Sequence, residues 1–329
     1  HLSDSNWRRD MKKWCIPLAQ LLSILLAACR GIASPRPSEI TLAMGYIPNV
    51  QFAPFYVALE KGYFAQEGLK IEFDYGMETD LLSLVGQGEL RFAVASGDQV
   101  ILARSQGLPV VYVMTYYKRF PIAVISLEVP LEEPRDLVGH KVGIPGLYGA
   151  SYIGWRALLY AAGIPEGEIP LHSIGYTQVA SLTEGKVEAA LVYANNEPVQ
   201  LRQVGYEPHI LYVADYIDLV SNGLITNEET IAQHPDLVER LVRASLRGLR
   251  DTIEDPEAAF EISKKYVPQM GKAQLSVLRE TIPFWRSEPL GYSDPGAWEA
   301  SQRFMLDVGL IDKETDIEEM FTNRFITQL

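Results

Sequence analysis

The chain has 329 residues, of which 47% are hydrophobic and 22% charged, so a disordered or low-complexity protein is excluded. Its formal net charge of −13 disfavours binding to nucleic-acid phosphates. Its two cysteines, Cys15 and Cys29, both lie near the N-terminus, so the rest of the chain can form neither a disulfide framework nor a cysteine metal site. The length fits one large or two medium domains.

The N-terminal residues have the pattern of an export signal. Lys12 and Lys13 form a short basic stretch, and the mostly apolar residues 14–28 follow it. An apolar run of this size is typical of a signal peptide and is short for a transmembrane helix. We interpret residues 1–28 as a signal peptide, with residues 1–10 as sequence upstream of the true start.

The apolar run ends in Leu26-Ala27-Ala28-Cys29, which resembles the bacterial lipobox. This resemblance implies a lipid on the sulfur of Cys29, with residues 29–38 as a tether. The protein would then be held at the extracytoplasmic face of the cell membrane, where such a lipid group gives stable anchoring. An ordinary secretory signal, with Cys29 incidental, is the alternative.

From residue 40 onward, short apolar or β-branched runs alternate with helical patterns, which predicts an α/β fold with mostly parallel sheets covered by helices. The predicted strands are 40–45, 69–75, 90–95, 110–115, 122–126, 141–144, 169–174, 187–193 and 210–213. The helical patterns between them are 52–61, 80–86, 98–105, 151–161, 178–183 and 199–204. After residue 227 the pattern is almost wholly helical.

A weak internal repeat relates residues 88–98 to residues 185–195. Each segment has a glycine turn, an apolar strand and polar residues at the strand end. Two copies of one unit suggest two similar lobes; the alternative is that any two such units look alike. Because ligands of open α/β sheets bind outside the carboxyl ends of strands, residues 96–98 and 195–197 are expected to face each other across a cleft.

Residues 44–69 carry a more specific pattern of strand, polar turn and helix, followed by Lys61-Gly62-Tyr63-Phe64 and Glu67-Gly68-Leu69. This stretch resembles the opening of the thiamine-pyrimidine-type solute-binding proteins of ABC importers. The similarity covers nearly the whole mature chain, including residues 136–144 and the late helical segment.

The resemblance implies a two-lobed periplasmic-binding-protein-like fold of type II, with a ligand cleft between the lobes. Lobe one would be residues 39–121 and 222–329, and lobe two residues 122–221, with crossings near 120–122 and 221–224. The resemblance also implies a monomer without a cofactor, which delivers a small molecule to an ABC permease in the membrane.

Branches of this family bind thiamine pyrimidines, riboflavin, alkanesulfonates or nitrate. A fungal branch synthesises the thiamine pyrimidine and carries a cysteine-rich motif. Since no cysteine follows Cys29, nothing in this sequence matches that motif. An enzyme is therefore disfavoured, and no catalytic residue is predicted.

A flat heteroaromatic ligand needs aromatic faces for stacking, and amides or carboxylates for its polar edge. Suitable residues follow the predicted strands in five groups. The candidate ligand-binding residues are Tyr46, Asn49, Gln51 and Phe52; Ser96 and Asp98; Tyr116 and Tyr117; Tyr148 and Ser151; and Tyr193, Asn195, Asn196 and Glu197.

Structural alternatives stay open for most of these groups. Asn49, Ser96 and Asp98 can be plain helix caps, and residues 193–198 can be a capping turn. Phe52 can belong to a core helix face, and one of the two tyrosines at 116–117 can pack in the hinge. The scattered histidines show no metal spacing, so no metal site is predicted.

The residue types at these positions also bear on the ligand. Carboxylates facing a cleft penalise an anion, so sulfonates and nitrate are disfavoured. The seventeen tyrosines and the Asn195-Asn196-Glu197 cluster favour riboflavin, whose tricyclic face and polyol tail need many partners. A formylamino- or hydroxymethyl-pyrimidine, which needs fewer partners, is the alternative.

Overall fold

The structure is a computed structural model that describes residues 36–326. Its strands are β1 (Ser38–Met44), β2 (Leu69–Tyr75), β3 (Phe92–Ser96), β4 (Val110–Thr115), β5 (Ile122–Ser126), β6 (Val142–Ile144), β7 (Leu171–Ser173), β8 (Ala189–Tyr193), β9 (His209–Tyr212) and β10 (Asn222–Asn227). The predicted signal peptide, Cys29 and residues 30–35 of the tether lie outside the described residues.

Helices connect these strands and follow the last of them. They are α1 (Ala53–Glu60), α2 (Tyr63–Gln66), α3 (Glu78–Gly86), α4 (Gly97–Ser105), α5 (Gly149–Ala162), α6 (Gln178–Thr183), α7 (Glu197–Gln203), α8 (Glu228–Gln233), α9 (Pro235–Glu254), α10 (Pro256–Ser263), α11 (Ala273–Trp285), α12 (Pro295–Asp307) and α13 (Ile317–Met320). Short 3-10 helices cover Val50–Phe52, Pro134–Leu137, Glu166–Glu168 and Val213–Asp215. Among residues 36–326, no helix combines the length and apolarity needed to cross a bilayer.

The strands form two five-stranded sheets with the same topology. The first has the order β2-β1-β3-β10-β4 and the second the order β7-β6-β8-β5-β9. In each sheet one strand is antiparallel to its neighbours: β10 opposes β3 and β4, and β5 opposes β8 and β9. Strand β5 is the first strand after the chain crosses from the first sheet to the second, and β10 is the first strand after it crosses back. The prediction of mostly parallel sheets therefore omits one reversed strand in each sheet.

The two repeated segments of the sequence occupy the same place in the two sheets. Strand β3 lies between β1 and β10, and β8 lies between β6 and β5. All strands of the first sheet come from residues 38–115 and 222–227, and all strands of the second from residues 122–212. The lobe boundaries at 121/122 and 221/222 stay a prediction.

The core follows the alternation of side chains along the strands. In β1, Leu42 faces the side that also buries Phe92 and Val242 of α9, while the neighbouring Ala43 faces the side that buries Val100 of α4. Burial on both faces explains why β3, β4 and β5 are nearly continuous apolar runs in the sequence, whereas β2 alternates buried and more exposed residues.

Helices α9 and α1 pack closely against each other at Gly248. A Cβ atom at this position would lie 2.1 Å from the carbonyl oxygen of Pro54 and 2.8 Å from the Cβ atom of Ala58. We expect Gly248→Ala to lower the free energy of unfolding by about 1–3 kcal/mol, because α9 must move away from α1. Urea denaturation measures this loss. Gly167→Ala, whose Cβ would meet no atom within 4 Å, is the control, and equal losses for both variants would contradict the packing described here.

Candidate functional site

Polar and aromatic side chains follow the carboxyl ends of the parallel strands in both sheets. Such ends collect at one edge of a sheet, which is where ligands of this architecture bind. The side chains that meet there, in strand order, are Tyr46 after β1, Glu78 after β2, Asp98 after β3, Tyr148 after β6, Tyr176 after β7 and Glu197 after β8.

Three carboxyl groups form what we call the acidic cluster: Glu78, Asp98 and Glu197. Each lies in the first turn of a helix, and each accepts hydrogen bonds from nearby donors. The Glu78 carboxylate accepts from the Asn222 amide at 3.1 Å. Asp98 is buried and accepts from the Ser96 hydroxyl and from the Gln99 amide at 2.6 Å.

Glu197 brings the second sheet into the cluster. Its two carboxylate oxygens accept from the Tyr193 backbone N–H and from the Asn196 amide, both at 2.9 Å. Tyr193 lies near enough to Glu78, Asp98 and Glu197 for their negative charges to raise its pKa, although burial is the larger cause. The cluster therefore spans the two sheets.

The environment of the acidic cluster favours protonated carboxyl groups. Burial and, to a smaller extent, the nearby Asp98 charge raise the pKa of Glu78 to about 8, against the hydrogen bonds from the Ser96 backbone and the Asn222 amide. Burial likewise raises the pKa of Glu197 to about 7 and raises the pKa of Asp98 above its ordinary value. Near neutral pH the three carboxyl groups of the cluster therefore carry fewer than three negative charges, and those that are protonated can donate hydrogen bonds.

Three exposed tyrosines form what we call the tyrosine rim. Tyr46, Tyr148 and Tyr176 are 41%, 52% and 63% exposed, respectively. The ring centroids of Tyr46 and Tyr176 are 6.5 Å apart, so the rim also joins the two sheets. Partial loss of water around its hydroxyl and the neighbouring Tyr148 raise the pKa of Tyr176 to about 12. The rim offers aromatic faces to a flat ring beside the acidic cluster.

Tyr116 and Tyr117 lie inside the protein. Tyr116 stacks on Trp285 with the ring centroids 5.3 Å apart, and meets the edges of Tyr117 at 4.8 Å and Phe55 at 5.4 Å. With its ring enclosed in this way, Tyr116 presents no open aromatic face in this structure, and a ligand contact by Tyr116 or Tyr117 stays a prediction. The alternative, that one of this pair packs in the hinge, agrees with this burial and also stays a prediction.

Asn195 connects the end of β8 to the helical segment that follows the first sheet. Its buried amide donates to the Thr281 hydroxyl at 2.7 Å and to the Tyr117 hydroxyl at 3.3 Å. These contacts bring α11 and the first crossing against the second sheet. Asn195 therefore holds an inter-sheet contact in addition to any role toward a ligand.

Other predicted residues have local roles in this structure. The Asn49 side chain accepts from the Gln51 backbone N–H at 2.9 Å, so Asn49 caps the short helix Val50–Phe52, as its structural alternative states. Phe52 is buried and packs against Tyr75, with the ring centroids 6.5 Å apart. Gln51 and Ser151 are half-buried. Ligand contacts by these four residues stay predictions.

Sequence reasoning missed several members of these groups, namely Glu78, Tyr176, Asn222, Thr281 and Trp285. Glu78 and Tyr176 each follow a predicted strand, so the rule that found Asp98 and Glu197 would have found them. Asn222 begins a strand that the pattern did not reveal, and α11 carries no local signal that links it to β8. Within the described part of the chain, no three His, Cys, Asp or Glu side chains are placed to hold a metal ion.

These features define the protein as a two-lobed α/β protein of the periplasmic-binding-protein class. The periplasmic aliphatic sulphonate-binding protein SsuA from Escherichia coli has the same fold, with a TM-score of 0.73 over 89% of this chain and 94% of that chain. Their sequences are 15% identical, so this likeness concerns the fold alone. The fold class predicted from the sequence is confirmed.

The chain belongs to the NMT1/THI5-like family, whose profile matches residues 49–259. It is 43% identical to the riboflavin-binding protein RibY of Chloroflexus aurantiacus, over 96% of this chain and 98% of that protein. It is 29% identical to the formylaminopyrimidine-binding protein of Halalkalibacterium halodurans, over 88% of this chain and 92% of the other. The predicted resemblance to solute-binding proteins is confirmed.

Proposed function

We propose that this chain is the extracytoplasmic solute-binding component of an ABC importer and that its ligand is riboflavin. The observation that carries the proposal is the meeting of the tyrosine rim and the acidic cluster at the carboxyl ends of strands from both sheets. The 43% identity to a protein named as riboflavin-binding supports the same ligand.

The two groups suit different parts of this vitamin. The rim supplies aromatic faces of the kind that stack on a wide tricyclic ring. Partly protonated carboxyls, together with the amides of Asn196 and Asn222, can accept from and donate to the hydroxyls of a polyol tail. Because residues of both sheets contribute to each group, a ligand held between them stabilises a closed arrangement of the lobes.

A thiamine pyrimidine is the second candidate ligand, supported by the relative that is named as formylaminopyrimidine-binding. A single six-membered ring covers less of the tyrosine rim and has no polyol tail for the acidic cluster, which is why we favour the flavin. Catalysis is not part of the proposal, since no cysteine follows Cys29 to form the motif of the synthesising branch.

The proposal includes a membrane anchor and a membrane partner. The Leu26-Ala27-Ala28-Cys29 sequence supports a lipid on Cys29, and the resemblance supports a monomer that docks on an ABC permease. Metabolic labelling with a fatty acid, comparing the whole chain with Cys29→Ser, tests the anchor. Label that persists in the variant would exclude lipidation at this cysteine.

Flavin fluorescence tests the ligand. We expect the protein lacking residues 1–29 to quench riboflavin fluorescence saturably at submicromolar concentration, without competition by hydroxymethylpyrimidine. Tyr176→Ala should weaken binding by about tenfold, because one stacking face is lost. Tyr206→Ala, a 42% exposed tyrosine between α7 and β9, is the matched control. Absence of quenching, with a calorimetric signal for a pyrimidine, would replace riboflavin by the second candidate.

A further inference from the structure

Three buried polar atoms near the first crossing have no hydrogen-bond partner among residues 36–326. They are the Tyr116 hydroxyl oxygen, the Asn195 side-chain oxygen and the Trp285 indole nitrogen. All three side chains are at most 1% exposed. An unpaired polar group in such a place loses its water without a replacement, which is unfavourable and uncommon in folded proteins.

The three atoms belong to one contact group around Tyr117. The Trp285 ring stacks on Tyr116 and lies edge-on to Tyr117, with centroids 5.3 Å and 5.9 Å away, respectively. The Asn195 amide nitrogen donates to the Tyr117 hydroxyl at 3.3 Å, which leaves the amide oxygen of the same side chain unpaired.

This contact group adjoins the proposed ligand site. Tyr193 lies close enough to both Tyr117 and Glu78 for each of them to raise its pKa. Asn195 is two residues from Glu197 of the acidic cluster and follows β8 of the second sheet, whereas Trp285 and Tyr116 belong to segments that pack on the first. A hinge movement that separates the lobes would therefore open this group to a ligand.

The chemistry of the three atoms restricts what can satisfy them. The Trp285 indole N–H only donates, the Asn195 amide oxygen only accepts, and the Tyr116 hydroxyl does either. A ligand edge with a donor flanked by two acceptors, carbonyl–NH–carbonyl, can satisfy all three at once. An aminopyrimidine edge presents the two N–H donors of its amino group beside a single ring acceptor, so it offers one acceptor where the imide offers two.

We propose that Tyr116, Asn195 and Trp285 bind the imide edge of the ligand ring and select ligands that carry such an edge. This inference rests on the proposed function, because riboflavin has an imide and the thiamine pyrimidines do not. The tyrosine rim and the acidic cluster would then hold the opposite side of the ring and the polyol tail.

Tyr116→Phe tests the proposal because it removes one hydroxyl and leaves the packing intact. We expect the unliganded variant to melt about 2–4 °C higher, since an unpaired buried group is gone. We expect its Kd for riboflavin to rise about tenfold or more, because the ligand loses one hydrogen bond and one of its acceptors stays unpaired. Tyr160→Phe, which removes a surface hydroxyl bonded to Asp307, should leave the Kd unchanged.

A ligand analogue provides the second measurement and needs no variant. Riboflavin methylated at the imide nitrogen lacks the donor and should bind the wild-type chain at least roughly tenfold more weakly than riboflavin. An unchanged Kd for Tyr116→Phe, or equal binding of the methylated analogue, would overturn the imide assignment while riboflavin binding itself still stood. If the wild-type chain binds a pyrimidine and not riboflavin, the proposed function fails.

Discussion

Replacing Glu78 by glutamine should raise the melting temperature at pH 9 and leave it almost unchanged at pH 5. Burial raises the pKa of this carboxyl from 4.5 to about 8, so the folded protein keeps a proton that the unfolded chain releases between these pH values. Stability therefore falls as the pH rises through this interval, and above pH 8 the full penalty of a buried charge is present. The shift corresponds to at most about 5 kcal/mol.

Thermal unfolding at the two pH values, followed by circular dichroism, measures this effect. The exposed Glu89→Gln is the matched control, because it removes a carboxylate that lies away from the cluster. Glu197→Gln should behave like Glu78→Gln with a smaller gain, since burial raises the pKa of Glu197 only to about 7. The stability of Glu78→Gln could instead fall between pH 5 and pH 9 as steeply as that of the wild type. Ionisation of Glu78 would then not lower the stability of the folded protein.

The positions of most strands are readable from the sequence, because strands such as β3 and β8 bury both faces and β2 alternates buried and more exposed residues. Consecutive apolar residues such as those of β3 and β8 reveal such strands, and their observed ends differ from the predicted ones by a few residues. Strand β10 is different. It begins with Asn222 and Gly223, a pair typical of a turn, and it becomes a strand because it fits between β3 and β4 in the folded sheet.

The candidate site is only partly readable for a related reason. Asp98 and Glu197 follow strands, so the general rule for open α/β sheets identifies them. The bond between Asn195 and Thr281 joins residues that are 86 positions apart, and the stacking of Tyr116 on Trp285 is similarly remote. Local patterns carry no information about such pairs, so the sequence could not show that the Tyr116 ring is enclosed.

Binding of riboflavin 5′-phosphate should be about a hundredfold weaker than binding of riboflavin at pH 8. The phosphate would bring negative charge to the acidic cluster, and like charges placed together in an interface cost several kcal/mol. Burial is the largest cause of the raised pKa of all three carboxyls, and among the described residues no lysine or arginine lowers any of these values. The cluster thus has no cation to offset a phosphate.

Competition titrations at two pH values can separate charge repulsion from simple exclusion by size. Near pH 5.5 the phosphate approaches a single negative charge, its second pKa being about 6, and Glu78 and Glu197 are mostly protonated. Repulsion then weakens, so the discrimination between the two flavins should shrink. The Glu78→Gln/Glu197→Gln double variant should show the smaller discrimination between the two flavins already at pH 8, and Glu89→Gln should not.

Two other outcomes would contradict charge repulsion. Discrimination that is unaffected by pH and by these variants would mean that shape excludes the phosphate. Equal affinity for both flavins would place the end of the polyol tail outside the cleft, beyond the tyrosine rim.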